Sequence, residues 1–188
     1  MLGIRNIQML TQYTKWANQT LFDALKLLPN EIVIEERKTG AGSLLKTLGH
    51  IYAIDQIWKG HLLGQSHGYQ TRNLLDIPSL NELSSMQFAS DNWYIDYANM
   101  QTPQMHDESL AFTFVDGGKG EMTRGDMLLH VMNHKTYHRG YVAQMMYESS
   151  YRPPVIDLPV FLRNAFIKPN WQSCQHCLSP WFYLLNSL

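Results

Sequence analysis

Three histidines occur at a spacing that suits metal binding from one helix. His130, His134 and His138 follow one another at four-residue intervals, so in an α-helix each lies about 40° around the axis from the last. Imidazoles at this spacing are about 5–6 Å apart at Cβ and can reach one cation, as in the H-E-x-x-H motif of zinc proteases. The residue after His134 is Lys135 rather than the general-base glutamate. The pattern therefore predicts a metal site but disfavours that class of protease.

A further ligand is expected from a different helix, because one helix supplies only two or three donors. His50 lies midway along a second predicted helix, on an otherwise apolar stripe. A buried neutral imidazole needs a polar partner, and a metal ion would be one. Two alternatives stay open at this point: a solvated helix face for His134 and His138, and a core histidine bonded to a carbonyl for His50. A chain without any metal is the third.

Two residues near these ligands are candidates for supporting roles. His130 lies about 80° around the helix from His138, so we expect it in the pocket wall or behind the ligands, with a fourth ligand as the lesser alternative. Asp55 falls on the apolar stripe one turn past His50. It could hydrogen-bond a ligand histidine, or it could be an exposed or capping residue.

Tyr137 and Arg139 flank the ligands and could orient an anionic substrate. The alternative is that Tyr137 packs and Arg139 pairs with an acidic neighbour. Gly140 is expected to permit close helix packing. No residue is assigned a direct catalytic role, because the nucleophile would be a water or thiol activated by the metal.

Apolar periodicity and capping signals predict four helices. The first covers residues 4–28 and stops at Pro29. The second covers residues 44–63, with Ser43 as its cap and Gly64 at its end. The third begins at the capping box of Ser79 and Glu82. The fourth covers residues 124–148 and begins at the capping residues Thr123 and Asp126. The alternation of residues 110–115 followed by D-G-G-K-G predicts a small β-hairpin before the last helix. An all-α four-helix bundle is the expected architecture.

Composition limits the partners. The 188 residues carry 16% charged side chains, against roughly 25% in a typical domain, which favours a homodimer that covers part of the surface. The net charge of −1 and the absence of a basic cluster argue against nucleic acid. No apolar run approaches the ~20 residues of a membrane span, and the first residues do not have the pattern of a signal peptide.

The only two cysteines, Cys174 and Cys177, form a C-x-x-C pattern near the end of the sequence. The βαβ context of a thioredoxin-like motif is absent, and a structural zinc site would need two more ligands. We therefore expect an ordinary surface tail. With no disulfide framework, the expected location is cytoplasmic.

Four features together carry a family resemblance: His50 in mid-helix, Trp58 after it, the capped helix reading H-V-M-N-H-K-T-Y-H-R-G, and P-P-V-I-D-L-P-V-F-L. The sequence resembles the DinB-like superfamily of small bacterial proteins (DinB/YfiT-like) over most of residues 1–162. The resemblance implies an up-down-down-up four-helix bundle, often dimeric. It also implies one divalent ion, Zn²⁺ or Ni²⁺, and its ligands map onto His50, His134 and His138.

The chain departs from the family pattern in two places. Tyr141 stands where the family often has glutamine, and residues 163–188 have no counterpart, so this C-terminal tail has no inherited role.

Relatives include thiol-dependent transferases and isomerases that use low-molecular-weight thiols.

The expected function is a metal-dependent transferase or hydrolase acting on a small electrophilic molecule. The alternative is a non-catalytic stress-response protein with a structural or sensing metal. A structural site would be closed by a fourth ligand, with His130 or Asp55 as candidates.

Overall fold

The computed structural model describes residues 2–38 and 42–166, and these are mainly helical with one small antiparallel sheet. The elements in chain order are α1 (Leu2–Leu25), α2 (Asn30–Ile34), α3 (Leu44–Leu63), α4 (Leu80–Asn99), α5 (Pro103–Asp107), β1 (Ser109–Thr113), β2 (Lys119–Thr123), α6 (Arg124–Glu148), α7 (Leu158–Phe161) and a π-helical turn (Leu162–Phe166). Within these residues, no helix has the length and hydropathy needed to cross a membrane.

The chain divides into two compact units, Met1–Pro154 and Val155–Leu188. The structure describes the second unit only as far as residue 166, where it consists of α7 and the π-helical turn. Cys174 and Cys177 lie outside the described residues. The domain limit predicted at residue 162 stays a prediction.

Local capping explains where the long helices begin and end. The Ser43 hydroxyl accepts a hydrogen bond from the Lys46 amide, and Gly64 ends α3 in the left-handed conformation. Ser79 and Glu82 form the reciprocal capping box at the start of α4, which satisfies amides that the first helical turn leaves free. These signals confirm the predicted limits of residues 44–63. The first helix is displaced from the predicted residues 4–28, since it begins at Leu2 and ends at Leu25, and Pro29 precedes the short helix α2.

Contacts among the four long helices position the histidine-bearing segments. Helix α1 packs against α4 and α6, and α3 packs against the same two helices. One apolar cluster joins Ile54 and Trp58 of α3 to Leu128 and Val131 of α6. A second joins Leu48 of α3 to residues of α1 and of the far end of α6. Burial of these side chains fixes α3 beside α6, and so brings His50 toward the histidines of α6.

The predicted hairpin is confirmed. Strands β1 and β2 pair antiparallel, from Ser109 opposite Thr123 to Thr113 opposite Lys119. The buried ring of Phe112 packs against Trp58, with ring centroids 5.1 Å apart. This contact holds the hairpin turn, residues 114–118, close to α3.

Two glycines allow a matched test of helix energetics. Gly64 has φ of 64°, a conformation that costs an L-residue about 1–2 kcal/mol. Gly140 lies exposed within α6, and an added Cβ there would meet nothing within 4 Å among the described residues. The expectation of close packing at Gly140 is therefore wrong. Gly64→Ala should lower the free energy of unfolding by about 1–2 kcal/mol, whereas Gly140→Ala should raise it by up to ~1 kcal/mol. Urea unfolding of both variants checks the opposite signs.

Candidate metal centre

The structure brings the three predicted ligands together. One ring nitrogen from each of His50, His134 and His138 lies within 4.8 Å of the other two. The ring centroids are 5.1 Å apart for His50 and His134, 4.6 Å for His50 and His138, and 4.4 Å for His134 and His138. Helix α6 supplies two of the imidazoles from successive turns and α3 supplies the third. The cluster could hold a metal ion.

A loop next to α3 fixes the orientation of the His50 ring. Its Nδ1 lies 2.8 Å from the Arg72 carbonyl oxygen and 3.1 Å from Asn73 Oδ1. Both partners are assigned as acceptors, so Nδ1 must carry the proton. The lone pair of His50 then lies on Nε2, the atom that faces His134. Metal-binding histidines are oriented in this way by a carbonyl or carboxylate behind them.

The electrostatics of the cluster keep two of its rings neutral. Burial, together with the neighbouring histidines, lowers the pKa of His134 to about 3. Burial and His50 lower the pKa of His138 to about 4. Both imidazoles are therefore unprotonated near pH 7, which is the form that binds metals.

The separation of the nitrogens also fits a metal ion. Nε2 of His50 and Nε2 of His134 are 3.2 Å apart. Two nitrogens bound tetrahedrally to zinc at about 2.0–2.1 Å would lie roughly 3.3 Å apart. The buried Nδ1 of His134 has no hydrogen-bond partner in the described residues. A donor set of three imidazole nitrogens suits several divalent transition metals, zinc and nickel among them.

The cluster lies in a cavity of about 440 Å³. The cavity is lined by imidazoles, apolar side chains and one ion pair: His50, Ile54, Ile57, Trp58, His61, Arg72, Phe114, Val115, Asp116, His130, His134 and His138. The His130 ring contacts Trp58 in a tilted arrangement, with centroids 4.5 Å apart and planes 49° from parallel. Its centroid lies 6.0 Å from that of the His134 ring. It is outside the group of three ligand atoms, and burial lowers its pKa. His130 is thus part of the cavity wall.

Asp55, one of the residues expected to support the ligands, points elsewhere. Its Oδ2 accepts hydrogen bonds from Gln87 at 2.7 Å and Ser90 at 3.4 Å and pairs with Lys135 Nζ at 2.8 Å. In the described part of the chain no hydrogen bond joins Asp55 to a histidine. Burial raises the pKa of Asp55 to about 6, although Lys135 acts in the opposite direction. The carboxylate therefore belongs to a buried polar network and not to the cluster of three histidines.

Arg139 belongs to the same network. It is 2% exposed and donates to Asn18 Oδ1 at 3.0 Å and to Thr136 Oγ1 at 2.8 Å. Its guanidinium lies over the Tyr13 ring of α1, 5.3 Å from the centroid. Arg139 therefore cannot orient a substrate in the cavity without leaving its buried partners.

Tyr137 lies at the surface beside the cluster. It is 59% exposed, its ring contacts His138 edge-on at 5.0 Å, and its hydroxyl lies 2.8 Å from the Tyr141 hydroxyl. The Tyr141 ring is 5.8 Å from His138. Tyr141, the residue that departs from the family pattern, thus stands at the edge of the cluster and leaves the three ligand positions intact.

Comparison with known sequences decides the family. The sequence pattern that defines the DinB family matches residues 4–173, which is most of the chain. The chain belongs to the DinB family. It is similar to the protein DinB of Bacillus subtilis (strain 168), with 27% identity over 159 residues that cover 81% of this chain and 91% of that relative. The family resemblance predicted from the sequence is therefore confirmed at the level of the DinB family.

Sequence reasoning missed the part of this DinB-family cavity that comes from loops. Arg72 lies in the loop after α3, and Phe114, Val115 and Asp116 lie in the hairpin turn. No periodic pattern marks Arg72 or Asp116, and the alternation of residues 110–115, which includes Phe114 and Val115, predicts a strand without indicating the cavity. The available signal was the turn sequence D-G-G-K-G, which places Asp116 at the tip of a hairpin but does not say what the hairpin packs against.

Acidification is expected to destabilise the metal-free protein through His134. Its pKa is lowered from 6.5 to about 3, so between these values the unfolded chain binds a proton that the folded chain excludes. The free energy of unfolding therefore falls as the pH drops below about 6.5. Urea unfolding of chelator-treated protein at about pH 7 and pH 5 measures the loss.

A His134→Gln variant isolates the contribution of His134 to the pH dependence of stability. This control is needed because Asp55 changes the free energy of unfolding in the opposite direction. The pKa of Asp55 is raised from 3.8 to about 6, so its contribution stabilises the folded state as the pH falls through 6. The parent should lose more stability than His134→Gln between the two pH values. An equal loss in both proteins would contradict the assignment.

Proposed function

We propose that this DinB-family chain is a metal-dependent enzyme with one divalent ion, Zn²⁺ or Ni²⁺, held by His50, His134 and His138. The observation that carries the proposal is a three-imidazole cluster that opens into a 440 Å³ cavity. We also propose that α1, α3, α4 and α6 form the up-down-down-up four-helix bundle that the family resemblance implies.

The chain's own residues would prepare this site for a small molecule. The Arg72 carbonyl orients His50, while Trp58 and His130 form a wall that shields one side of the cluster. A divalent ion with three neutral histidine ligands keeps an open position and lowers the pKa of a water or thiol bound there. The proposed reaction is attack by a low-molecular-weight thiol, or by water, on a small electrophilic substrate.

A non-catalytic role, in structure or sensing, receives less support. A structural ion is normally enclosed by four protein ligands. Of the two candidates for a fourth ligand, His130 is outside the group of ligand atoms and Asp55 is bound to Lys135. The described residues therefore favour an open site.

A thiol-transfer assay tests the proposal. Zinc-loaded and nickel-loaded protein would be mixed with cysteine or glutathione and 1-chloro-2,4-dinitrobenzene, with hydrolysis of a nitrophenyl ester as the water-dependent reaction. We expect turnover above the uncatalysed rate, lost in the chelator-treated parent and in His138→Ala. A fully metal-loaded chain that accelerates neither reaction would favour the non-catalytic role.

We also propose a homodimer. The low content of charged residues supports it, and so do exposed apolar side chains of α6, with Leu129 50%, Tyr137 59% and Tyr147 60% exposed. These exposed side chains are available for contact with a second copy of the chain. Light scattering should give twice the chain mass of 21.8 kDa, and a monomer mass at micromolar concentration would exclude the dimer.

A further inference from the structure

Arg72 gives the cavity a single permanent positive charge. Of the described residues that line it, Arg72 is the only lysine or arginine and Asp116 is the only carboxylate. The remaining lining consists of imidazoles and apolar or aromatic side chains. A molecule that fills this space therefore meets imidazoles and apolar side chains, with Arg72 as the cationic group and Asp116 as its acidic neighbour.

The backbone of Arg72 is hydrogen-bonded to His50, one of the three clustered histidines. Its carbonyl oxygen accepts the hydrogen bond from His50 Nδ1 at 2.8 Å. On either side of it, Thr71 Oγ1 donates to the Asn73 carbonyl at 2.8 Å and accepts from the Asn73 amide at 3.2 Å. The Arg72 side chain thus extends from a short loop segment that is hydrogen-bonded to His50. The length of this side chain limits how far the guanidinium can lie from the three histidines.

The partner of the Arg72 guanidinium is loosely bound. Asp116 Oδ2 lies 3.8 Å from Arg72 Nη2, and both side chains are 65% exposed. This distance exceeds that of a hydrogen bond, and exposed pairs of this kind contribute little stability. The other oxygen, Asp116 Oδ1, accepts from the Gly118 amide at 3.0 Å, so the hairpin turn holds Asp116 at the mouth of the cavity. An incoming carboxylate could replace Asp116 on Arg72 at low cost.

We infer that Arg72 is a specificity-determining residue that selects small carboxylates with an apolar body. Arginine binds a carboxylate through two parallel hydrogen bonds, which a neutral group of the same shape cannot accept equally well. The apolar part would pack against Trp58, Phe114 and Val115 of the lining. The inference rests on the proposed function, because it places the reacting end of the molecule beside the three histidines.

The carboxylate could belong to either of two molecules in the proposed reaction, the electrophile or the thiol. Either molecule would present the same carboxylate group to Arg72, and two pairs of probes distinguish between the electrophile and the thiol. The first pair is 3-phenylpropanoate and its neutral amide, 3-phenylpropanamide. The second is 3-mercaptopropanoate and the neutral thiol 2-mercaptoethanol.

Calorimetric titration of the zinc-loaded full chain with each probe tests the inference. The parent should bind the carboxylate of at least one pair about tenfold more tightly than its neutral counterpart. Arg72→Gln should abolish that preference, although its metal content should not change because the backbone carbonyl is retained. Asp116→Asn should strengthen carboxylate binding, since it frees Arg72. A preference in the first pair assigns the carboxylate to the electrophile, and one in the second pair assigns it to the thiol.

Titration of the chelator-treated chain separates this inference from the proposed function. An Arg72-dependent preference for 3-phenylpropanoate in the chelator-treated chain would support the inference without any metal. The proposed function would fail separately if the same chain retained no zinc or nickel after reloading. A preference that survives Arg72→Gln in the metal-loaded protein, or no preference in either pair, would overturn the inference and leave the metal centre intact.

Discussion

Replacement of Lys135 by methionine is expected to lower the free energy of unfolding by about 3–5 kcal/mol. Lys135 is fully buried, and its Nζ lies 2.8 Å from Asp55 Oδ2 and 2.7 Å from Asp91 Oδ1. Burial acts to lower the pKa of Lys135, but the two carboxylates raise it above its ordinary value. The methionine variant would leave two buried carboxylates without the ammonium group that pairs with both of them. Denaturant unfolding at pH 7 measures the loss.

Two controls show whether charge causes this loss. The triple variant Lys135→Met, Asp55→Asn, Asp91→Asn removes all three charges and should recover most of the stability, as replacement of whole buried ion pairs often does. Lys135→Met should also be less harmful at low pH. The buried Asp55 carboxyl, whose pKa is already raised to about 6, is protonated more easily when folded than when unfolded, so its penalty shrinks as the pH falls. A loss under about 1 kcal/mol at pH 7 would contradict the argument.

The buried polar network around Lys135 also affects the position of the histidine cluster, because the network joins all four long helices. Asn18 of α1 donates to Asp91 Oδ2 at 2.8 Å and accepts from Arg139 of α6. Gln87 of α4 donates to both carboxylates. Lys135 directly follows His134, so the ion pairs between Lys135 and the carboxylates of α3 and α4 also help to position the turn of α6 that carries His134.

His134→Ala is expected to weaken zinc binding by more than about 100-fold. Loss of an outer partner alone typically costs 10–100-fold, and this variant removes one of three ligands that lie within 4.8 Å of each other. His138→Ala and His50→Ala should behave in the same way. Competition against a chromophoric zinc chelator measures the affinities.

His130→Ala is the matched control. It removes a histidine one turn earlier on the same helix, in the same cavity, but outside the group of ligand atoms. Its zinc affinity should fall by about tenfold at most, which is the smallest loss typical of removing a residue that contacts a ligand from outside. If His130→Ala and His134→Ala lost zinc equally, the three-ligand assignment would be wrong.

The helices were predictable because their signals are local. Ser43, Gly64, the Ser79 and Glu82 pair and Thr123 each act within one turn, and the structure has α3 and α6 with the predicted limits. The i,i+4 spacing of His134 and His138 made their proximity predictable for the same reason. The short helices α2 and α5, with five residues each, were missed, since one turn carries too few residues to show a period.

The burial of Lys135 and Arg139 was not predicted, because lysine and arginine are rarely buried unless they are paired. A signal existed: both lie on the stripe of α6 that includes Val131 and Val142, and all four side chains are buried. Asp55 interrupts the apolar stripe of α3 in the same way. Charged residues of opposite sign on the apolar faces of two helices indicate a buried pair. From the sequence, Asp55 is expected only to support a ligand, to be a fourth ligand, or to be an exposed or capping residue.

The contribution of Arg72 and Asp116 could not be predicted from local patterns. Their proximity depends on how a loop after α3 and a hairpin turn approach each other across the cavity. That approach depends on contacts far apart in sequence, such as Phe112 against Trp58. Loop residues of this kind often determine which ligand a conserved scaffold binds.

Metal content of the untagged parent tests the central claim most directly. Elemental mass spectrometry should be applied to the protein as purified, and again after loading with zinc or nickel and removal of excess ion. The three-histidine site predicts about one equivalent of zinc or nickel per chain. A parent that retains no divalent ion after reloading would contradict the metal centre, and His50, His134 and His138 would then be no more than packed side chains.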